Sequence, residues 1–390
     1  MCCKAIKWRV SAGIGDDLRL FVFGQRNNLG GGTHFAGFAD ALKSINGIGN
    51  RVVEVNVTGK RVEPAVHETT HNDVCIFFFP TVTEKFAKGT IIKWGIFESD
   101  LLPDRYIDYL SKSHQIWVPS VWAKNVLQAH DIDAAKIKIV HEGVEPDVYH
   151  PFLRSQPSED GVFRFLMCGK NEARKGLREL IQGFELAFGN DPRVELHLKA
   201  DYFWGTPEAV AKKKSELLQM IECRGLTNIK PLFGNFSTAD MGVLYSNFDA
   251  MVFPSRAEGW GLPLIEAIAC GLPVISTFYS GHAEFLSHIK NDFVKLDHDM
   301  RPIDCPEFLS YWGVGGSWAV VSPSEIAKKL VYMKNNHAEY RLKAMRSSII
   351  IRREFAWRCA AEEAINLLVD LRQLRPSNIF DSDPNLNKAS

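Results

Sequence analysis

Residues 253–276 read Phe253-Pro-Ser-Arg-Ala-Glu-Gly-Trp-Gly-Leu-Pro-Leu-Ile-Glu-Ala-Ile-Ala-Cys-Gly-Leu-Pro-Val-Ile-Ser276, and this stretch decides the fold. Pro263 suits the first turn of a helix, because the N–H that proline lacks would be unpaired there. Gly271 suits the left-handed position after a helix, and Val274 opens a second apolar run. The stretch therefore predicts a strand, a glycine loop, a short helix and a strand, which is one unit of an α/β fold.

Two carboxylates of this stretch, Glu258 and Glu266, indicate a ligand that carries both phosphate and sugar. A carboxylate accepts hydrogen bonds from hydroxyl groups, whereas the N-terminus of a helix offers backbone N–H groups to an anion. We therefore expect the glutamates to bind polyol oxygens. The amides expected to bind phosphate are those of Gly259, Trp260, Gly261 and Leu262. The alternative is that the glutamates only complement the positive end of the helix dipole.

The stretch resembles the signature of the retaining glycosyltransferases of family 4, also called glycosyltransferase group 1. Their pattern is Pro-Ser, then Glu-Gly-aromatic-Gly-Leu-Pro, then Glu-Ala-Met-Ala-Cys-Gly-x-Pro-Val-Ile, and Ile268 replaces the usual methionine. Other segments are similar to family segments in the same order: Phe97-Glu-Ser-Asp-Leu-Leu-Pro103, Trp117-Val-Pro-Ser-Val-Trp122, His141-Glu-Gly-Val144, Arg174-Lys-Gly176 and Gly281-His-Ala-Glu-Phe-Leu286. The resemblance covers roughly residues 90 to 370 and implies the GT-B fold.

Strand and helix patterns alternate through both halves of the chain, which predicts α/β structure with mostly parallel sheets. A segment of linker composition over 144–161 interrupts the pattern. We predict an N-terminal Rossmann-like acceptor-binding domain over 1–150, a C-terminal Rossmann-like nucleotide-sugar donor domain with closing helices over 151–374, and a mobile tail over 375–390. Because open parallel sheets bind ligands at their carboxyl edges, the two domains are expected to face a central cleft.

A glycine loop near the N-terminus, Gly30-Gly-Gly32, follows a predicted strand and precedes a helix predicted from about Thr33 to Ser44. Glycine lets the backbone approach a phosphate or sugar closely, here at Gly31 and Gly32. A flexible turn is the alternative.

A loop of the second half, Gly169–Gly176, carries Lys170, Arg174 and Lys175. The resemblance implies that Lys175 neutralises the diphosphate of the donor. Lys170 stands where the family has arginine, so it keeps the charge but loses the bidentate fork, for which Arg174 is the compensating candidate. The alternative is that these are surface cations without a function.

The resemblance also implies the catalytic roles. Glu258 would hold the hydroxyls of the transferred sugar, Glu266 the ribose, and Lys175 the charge that develops on the diphosphate. Glu98 would contact acceptor or donor. Family members often carry a histidine just before this glutamate, and Phe97 in its place puts a direct catalytic histidine in doubt.

The predicted function is retaining transfer of a hexose from a nucleotide diphosphate donor to an acceptor hydroxyl, with the leaving phosphate serving as, or assisting, the base. The acceptor is a glycan, a lipid-linked molecule or a small molecule. No metal or other cofactor is expected. The alternatives are a catalytically inactive nucleotide-sugar-binding partner subunit, a GT-B sugar-nucleotide epimerase and a phosphorylase.

A second motif, His67-Glu-Thr-Thr-His71, matches the zinc-protease pattern H-E-x-x-H. That chemistry requires both histidines on one face of a helix. Pro64 before the motif and Asn-Asp after it argue against such a helix, and a metal site is therefore not expected.

The charge balance gives no sign of a nucleic-acid partner, because Lys+Arg and Asp+Glu both number 46 in the 390 residues. The first residues lack an apolar signal core, which predicts a cytoplasmic protein. Peripheral contact at the inner face of the membrane stays open.

Overall fold

A six-stranded parallel sheet forms the centre of the first of two units in this computed structural model, which describes residues 18–27, 29–57, 61–151, 160–203 and 205–373. The strands are β1 (Leu20–Gly24), β2 (Val52–Asn56), β3 (Val74–Phe77), β4 (Thr90–Trp94), β5 (Gln115–Val118) and β6 (Ile137–Ile139). Their order is β2-β1-β3-β4-β5-β6. The helices between them are α1 (Gly30–Ser44), α2 (Asp104–Ser111) and α3 (Val121–Ala129). Because β1 and β3 are buried along their whole length, their sequences are almost wholly apolar.

The second unit repeats this architecture with a second six-stranded parallel sheet. Its strands are β7 (Phe163–Cys168), β8 (Val194–Lys199), β9 (Ile229–Leu232), β10 (Ala250–Phe253), β11 (Val274–Thr277) and β12 (Val294–Leu296), in the order β12-β11-β10-β7-β8-β9. The intervening helices are α4 (Leu177–Phe188), α5 (Pro207–Glu222), α6 (Thr238–Ser246), α7 (Leu262–Ala269) and α8 (Ala283–Leu286). The predicted α/β class with parallel sheets is therefore confirmed.

A small insert follows the second sheet. It consists of β13 (Asp299–Pro302), α9 (Pro306–Trp312) and β14 (Ser317–Val320), and its two strands pair antiparallel. Three longer helices follow, as predicted: α10 (Pro323–Asn335), α11 (His337–Glu354) and α12 (Trp357–Gln373). The insert itself was not predicted from the sequence.

The division into units does not follow a single boundary. The described residues up to Ile96, from Leu102 to Gly143 and from Phe355 onward form the first unit, and Phe97–Leu101 together with Val144–Glu354 form the second. The short segment Phe97–Leu101 thus belongs to the second unit, and α12 to the first. The assignment of acceptor and donor domains stays a prediction, and the predicted tail over 375–390 lies outside the described residues.

One local expectation needs correction. Helix α1 begins at Gly30 rather than Thr33, so Gly31 and Gly32 form its first turn instead of a preceding loop. His67 lies in a short 3-10 helix that ends at Glu68, and His71 lies beyond it, so the two histidines do not share a helical face. Within the described part of the chain, no helix combines the length and apolar character required to cross a bilayer.

Candidate functional site

The centre of the second sheet brings two loops together. β7 and β10 are neighbours there, and the strand order runs in opposite directions on either side of them. Ligands of open α/β sheets bind at the carboxyl ends of the strands at such a reversal. The loop after β7 carries Arg174 and Lys175, and the loop after β10 carries Glu258.

The backbones of these loops are held in contact. Gly176 has φ of +68°, and a Cβ at this position would lie 2.6 Å from the carbonyl oxygen of Pro254, so only glycine fits. The N–H of Arg256 donates to the carbonyl oxygen of Arg174 at 2.8 Å. The side chains of the two loops consequently meet within the unit.

A buried ion cluster results from this contact. Oε1 of Glu258 lies 2.5 Å from Nζ of Lys175, and Oε2 lies 3.0 Å from Nη1 of Arg174. Nη2 of Arg174 also lies 3.1 Å from Oε2 of Glu172 and 3.4 Å from Oε1 of Glu98. Two cations thus meet three carboxylates, and Arg174, Lys175 and Glu258 are each at most 6% exposed.

The cluster fixes the charge of Glu258. Burial alone would raise its pKa, but the charges of Arg174 and Lys175 outweigh burial and hold the pKa well below its usual range. Burial also opposes the charge of Arg174, but Glu258, Glu98 and Glu172 outweigh it and raise the pKa of the guanidinium. Burial lowers the pKa of Lys175, and the neighbouring Arg174 acts in the same direction. Glu258 acts against both, and an additional negative charge nearby would further favour the charged form of Lys175.

The Glu258 loop is anchored on both sides. The hydroxyl of Ser255 donates to Oε1 of Glu258, and the N–H of Glu258 donates to Oγ of Ser280 at 2.8 Å. Gly281 packs so closely that a Cβ there would lie 1.9 Å from the carbonyl oxygen of Gly259. Helix α7 then begins after Gly261, whose φ of +105° few other residues adopt.

A buried histidine borders this loop. His282 is fully buried, and its Nε2 lies 3.0 Å from the carbonyl oxygen of Thr277. Its Nδ1 has no hydrogen-bond partner among the described residues. Burial lowers the pKa of His282 to about 4, so its ring is neutral at physiological pH.

Glu266 lies about one turn into α7 and has a different environment from Glu258. Its Oε2 accepts a hydrogen bond from the hydroxyl of Tyr245 at 2.9 Å, and the hydroxyl of Tyr149 donates a second. Burial raises the pKa of Glu266 to about 7, although both tyrosines act in the opposite direction. This carboxylate is held by neutral donors.

The structure brings some of the predicted site residues together and places others apart from them. Glu98, Arg174, Lys175 and Glu258 come together, and Glu266 lies on the helix that follows. The predicted amides of Gly259, Trp260, Gly261 and Leu262 surround the start of α7, and Lys170 lies in the loop that carries Arg174. Gly31 and Gly32 belong to the first unit.

Several contacts were missed by reading the sequence. Ser255 and Glu172 stand next to predicted residues, so the quoted motifs contained them without assigning them a role. Tyr245 and Tyr149 come from α6 and from a segment interpreted as a linker, and no local pattern connects either with Glu266. No group of three or more His, Cys, Asp or Glu side chains that could hold a metal ion occurs among the described residues.

The arrangement suits an anion together with a polyol. Arg174 and Lys175 supply positive charge in a buried setting where electrostatic interactions are strong. The start of α7 supplies backbone N–H groups, and Glu258 and Glu266 supply acceptors for hydroxyl groups.

Comparison with known proteins gives a consistent result. Residues 151–301 match the family model described as glycosyl transferases group 1. A D-inositol 3-phosphate glycosyltransferase of Pseudarthrobacter chlorophenolicus is 23% identical over 171 residues, which span 43% of this chain and 40% of that protein. The similarity to this relative thus spans less than half of its length.

Two solved structures are similar over most of the chain. HepE of Anabaena, in complex with UDP and glucose, has a TM-score of 0.68 at 14% identity and covers 90% of this chain and 99% of its own. Sucrose-phosphate synthase of Thermosynechococcus elongatus has a TM-score of 0.67 at 13% identity and covers 92% and 100%. At such identities the likeness is one of fold, and it confirms the GT-B class.

Proposed function

Because residues 151–301 match the glycosyl transferases group 1 family, we propose that the chain is a retaining glycosyltransferase that uses a nucleotide diphosphate sugar. The reaction would move a hexose to an acceptor hydroxyl. The observation that carries the proposal is the convergence of Arg174, Lys175 and Glu258 at the point where the strand order of the second sheet reverses.

The two cations are suited to a leaving diphosphate. Negative charge grows on the diphosphate as the glycosidic bond breaks, and a preorganised cation stabilises that charge more in the transition state than in the ground state. A diphosphate would favour the charged form of Lys175, which burial and Arg174 disfavour and Glu258 supports. Glu258 keeps both cations in place through its two oxygens.

The glutamates would bind the sugars of the donor. Glu258 is the acceptor proposed for hydroxyls of the transferred hexose, and Glu266 is the acceptor proposed for the ribose. The hydroxyls of Tyr149 and Tyr245 direct the Glu266 carboxylate, which still has lone pairs for ribose hydroxyls. In the retaining reaction the leaving phosphate would accept the proton of the attacking acceptor hydroxyl on the same face of the sugar.

A similar protein and a similar solved structure suggest which donor to test first. One is called a D-inositol 3-phosphate glycosyltransferase, and the HepE structure contains UDP-glucose in a further complex. UDP-glucose is therefore the first donor to test. The acceptor follows from none of the described contacts.

Thermal-shift screening against UDP-, GDP-, ADP- and dTDP-sugars tests the proposal, because a ligand that binds only the folded state raises the melting temperature. The stabilising donor is then assayed for hydrolysis and transfer. Glu266→Ala should weaken donor binding by roughly 1.5 to 3 kcal/mol, since a charged hydrogen-bond acceptor is lost.

Three outcomes separate the alternatives. Donor binding with slow hydrolysis or transfer supports the proposal. Binding without any turnover favours an inactive partner subunit, and conversion of the donor sugar without transfer favours an epimerase. No shift with any donor, in a folded protein, contradicts all three functions.

A further inference from the structure

The insert β13–α9–β14 contacts both sides of the ion cluster. It begins at Asp299, near the end of the family match at residue 301, so most of it lies outside the matched segment. All of its contacts described here lie within the second unit. The proposed function assigns no role to the residues of this insert.

One side of the insert holds the Glu98 segment. Nε1 of Trp318 donates to the carbonyl oxygen of Glu98 at 2.8 Å. The hydroxyl of Ser99 donates to the carbonyl oxygen of Gly315 at 2.7 Å. These bonds fix the main chain directly after the Glu98 Cα, from which the carboxylate reaches Arg174.

A third bond extends this contact. The N–H of Ser317 donates to Oδ1 of Asp100 at 2.6 Å. Gly316 precedes it with φ of +94°, and a Cβ there would lie 2.4 Å from the same Asp100 oxygen. Glycine is required here by both conformation and space.

The other side of the insert holds the Glu258 loop. Trp318 is 2% exposed and forms a small apolar cluster with Ala257 and Ile303. The guanidinium of Arg256 lies 6.0 Å from the centre of the Trp318 ring, and the N–H of Ala319 donates to the carbonyl oxygen of Arg256 at 3.0 Å. The residues before Glu258 therefore rest on the same tryptophan that binds Glu98.

We infer that Trp318 is a positioning residue for the donor site, holding the Glu98 main chain and the Ala257–Glu258 loop on opposite sides of Arg174. Arg174 bonds to both, since its Nη1 donates to the carbonyl oxygen of Ala257 at 2.7 Å and its Nη2 faces Glu98 at 3.4 Å. The functional part of this inference rests on the proposed function. Loss of the indole N–H should let Glu98 move away from Arg174, while an aromatic ring at position 318 would still pack against Ala257 and Ile303.

The test is a double-mutant cycle between Trp318→Phe and Glu98→Gln. Phenylalanine keeps an aromatic ring but removes the N–H. Turnover of UDP-glucose, or of the donor found by thermal shift, should fall about 10-fold in Trp318→Phe with little change in KM, as expected when a catalytic group is slightly misplaced. In the Glu98→Gln background the same change should cost less than about 2-fold, because residues that act through one another are not additive.

Two further variants complete the design. Ser99→Ala removes one hydrogen bond without changing the apolar cluster, and it should show the same dependence on Glu98 if Trp318→Phe folds poorly. Trp117→Phe is the matched control, since Trp117 is a buried tryptophan of the first unit whose Nε1 donates to Oε1 of Gln115 at 3.1 Å. It should leave turnover unchanged.

The same cycle is measured in thermal unfolding without a donor. Coupled shifts of the melting temperature between Trp318→Phe and Glu98→Gln are expected, because the ion pair with Arg174 depends on the held main chain. Additive effects in unfolding and in turnover would overturn the inference. Coupled unfolding in a protein that turns over no donor would retain the positioning contact and contradict the proposed function instead.

Discussion

Glu258 and Glu266 come from one signature but lie in opposite electrostatic surroundings. Two cations bind Glu258, and they hold its pKa well below the usual range despite burial. Two tyrosine hydroxyls bind Glu266, and burial raises its pKa to about 7. Both side chains are buried carboxylates, so the difference arises from their partners.

The comparison shows how one motif can supply two kinds of acceptor. Glu258 is ionised throughout the physiological range, and it organises the cations. Glu266 is close to half protonated near neutral pH, so its capacity to accept hydrogen bonds depends on pH. The two environments therefore make separate predictions about charge, pH and metal ions.

The largest effect is expected from removing a cation of the Glu258 cluster. Lys175→Ala should lower turnover on the order of 100-fold, by analogy with the loss of one electrostatic stabiliser of a transition state. Turnover should fall at least as much as donor affinity, because the charge on the diphosphate grows during the reaction. The measurements are kcat and donor Kd.

The control for this variant is Lys212→Ala, since the Lys212 side chain is 77% exposed on α5. It should behave like the unmodified chain. Near-normal turnover in folded Lys175→Ala would assign the stabilisation of the diphosphate to Lys170 or Arg174.

A smaller, pH-dependent effect is expected from Glu266. Hydroxyl donors favour the carboxylate form, so donor affinity should rise with pH through about 7, by about tenfold between pH 6 and pH 8. A nucleotide diphosphate sugar suits the measurement because its diphosphate does not titrate in this range. Isothermal titration should show the rise, and Glu266→Gln should remove it.

The effect on stability has the opposite sign. The folded pKa of Glu266 is raised from 4.5 to about 7, so the folded state binds the extra proton between these values. The free energy of unfolding should thus fall as pH rises through this window, by about 3 kcal/mol at most. The depressed pKa of Glu258 contributes in the other direction, since its stabilisation is lost as pH falls toward that value. A flat difference between unmodified chain and Glu266→Gln across the window would contradict the environment described for Glu266.

The sequence predicted the elements around Glu258 well because their determinants are local. Pro263, Gly271 and the apolar runs of β10 and β11 are short-range signals, and α7 and both strands lie where those signals indicated. The start of α1 was wrong, because three glycines favour a loop by propensity and the folded unit extends the helix over them.

The partners of the two glutamates were harder to predict because they are distant in sequence. Lys175 was predicted only through the family resemblance, although it lies 2.5 Å from Glu258. Tyr149 and Tyr245 carry no local signal of a role at Glu266. Trp318 lies in an insert for which neither periodicity nor resemblance gave an expectation.

The smallest effect is expected from chelation, which tests whether cations alone hold the diphosphate. Metal-dependent transfer needs carboxylates available to a divalent ion, whereas the carboxylate of Glu258 already binds Arg174 and Lys175. Glu266 accepts hydrogen bonds from two tyrosine hydroxyls and belongs to no group of three or more possible metal ligands among the described residues. Treatment with excess EDTA, with folding confirmed by circular dichroism, should leave transfer from the working donor unchanged.

If chelation abolished activity, the metal ion that restores it would show which part of the site assignment is wrong. Recovery with Mg²⁺ or Mn²⁺ would mean that the diphosphate is held through a metal, and that Arg174 and Lys175 act mainly to orient Glu258. Recovery with Zn²⁺ alone would direct attention to His67 and His71, the one metal-like motif of the sequence, although His67 lies in a short 3-10 helix that ends before His71. The double variant His67→Ala/His71→Ala distinguishes these cases, because only a zinc requirement at that motif would be removed by it.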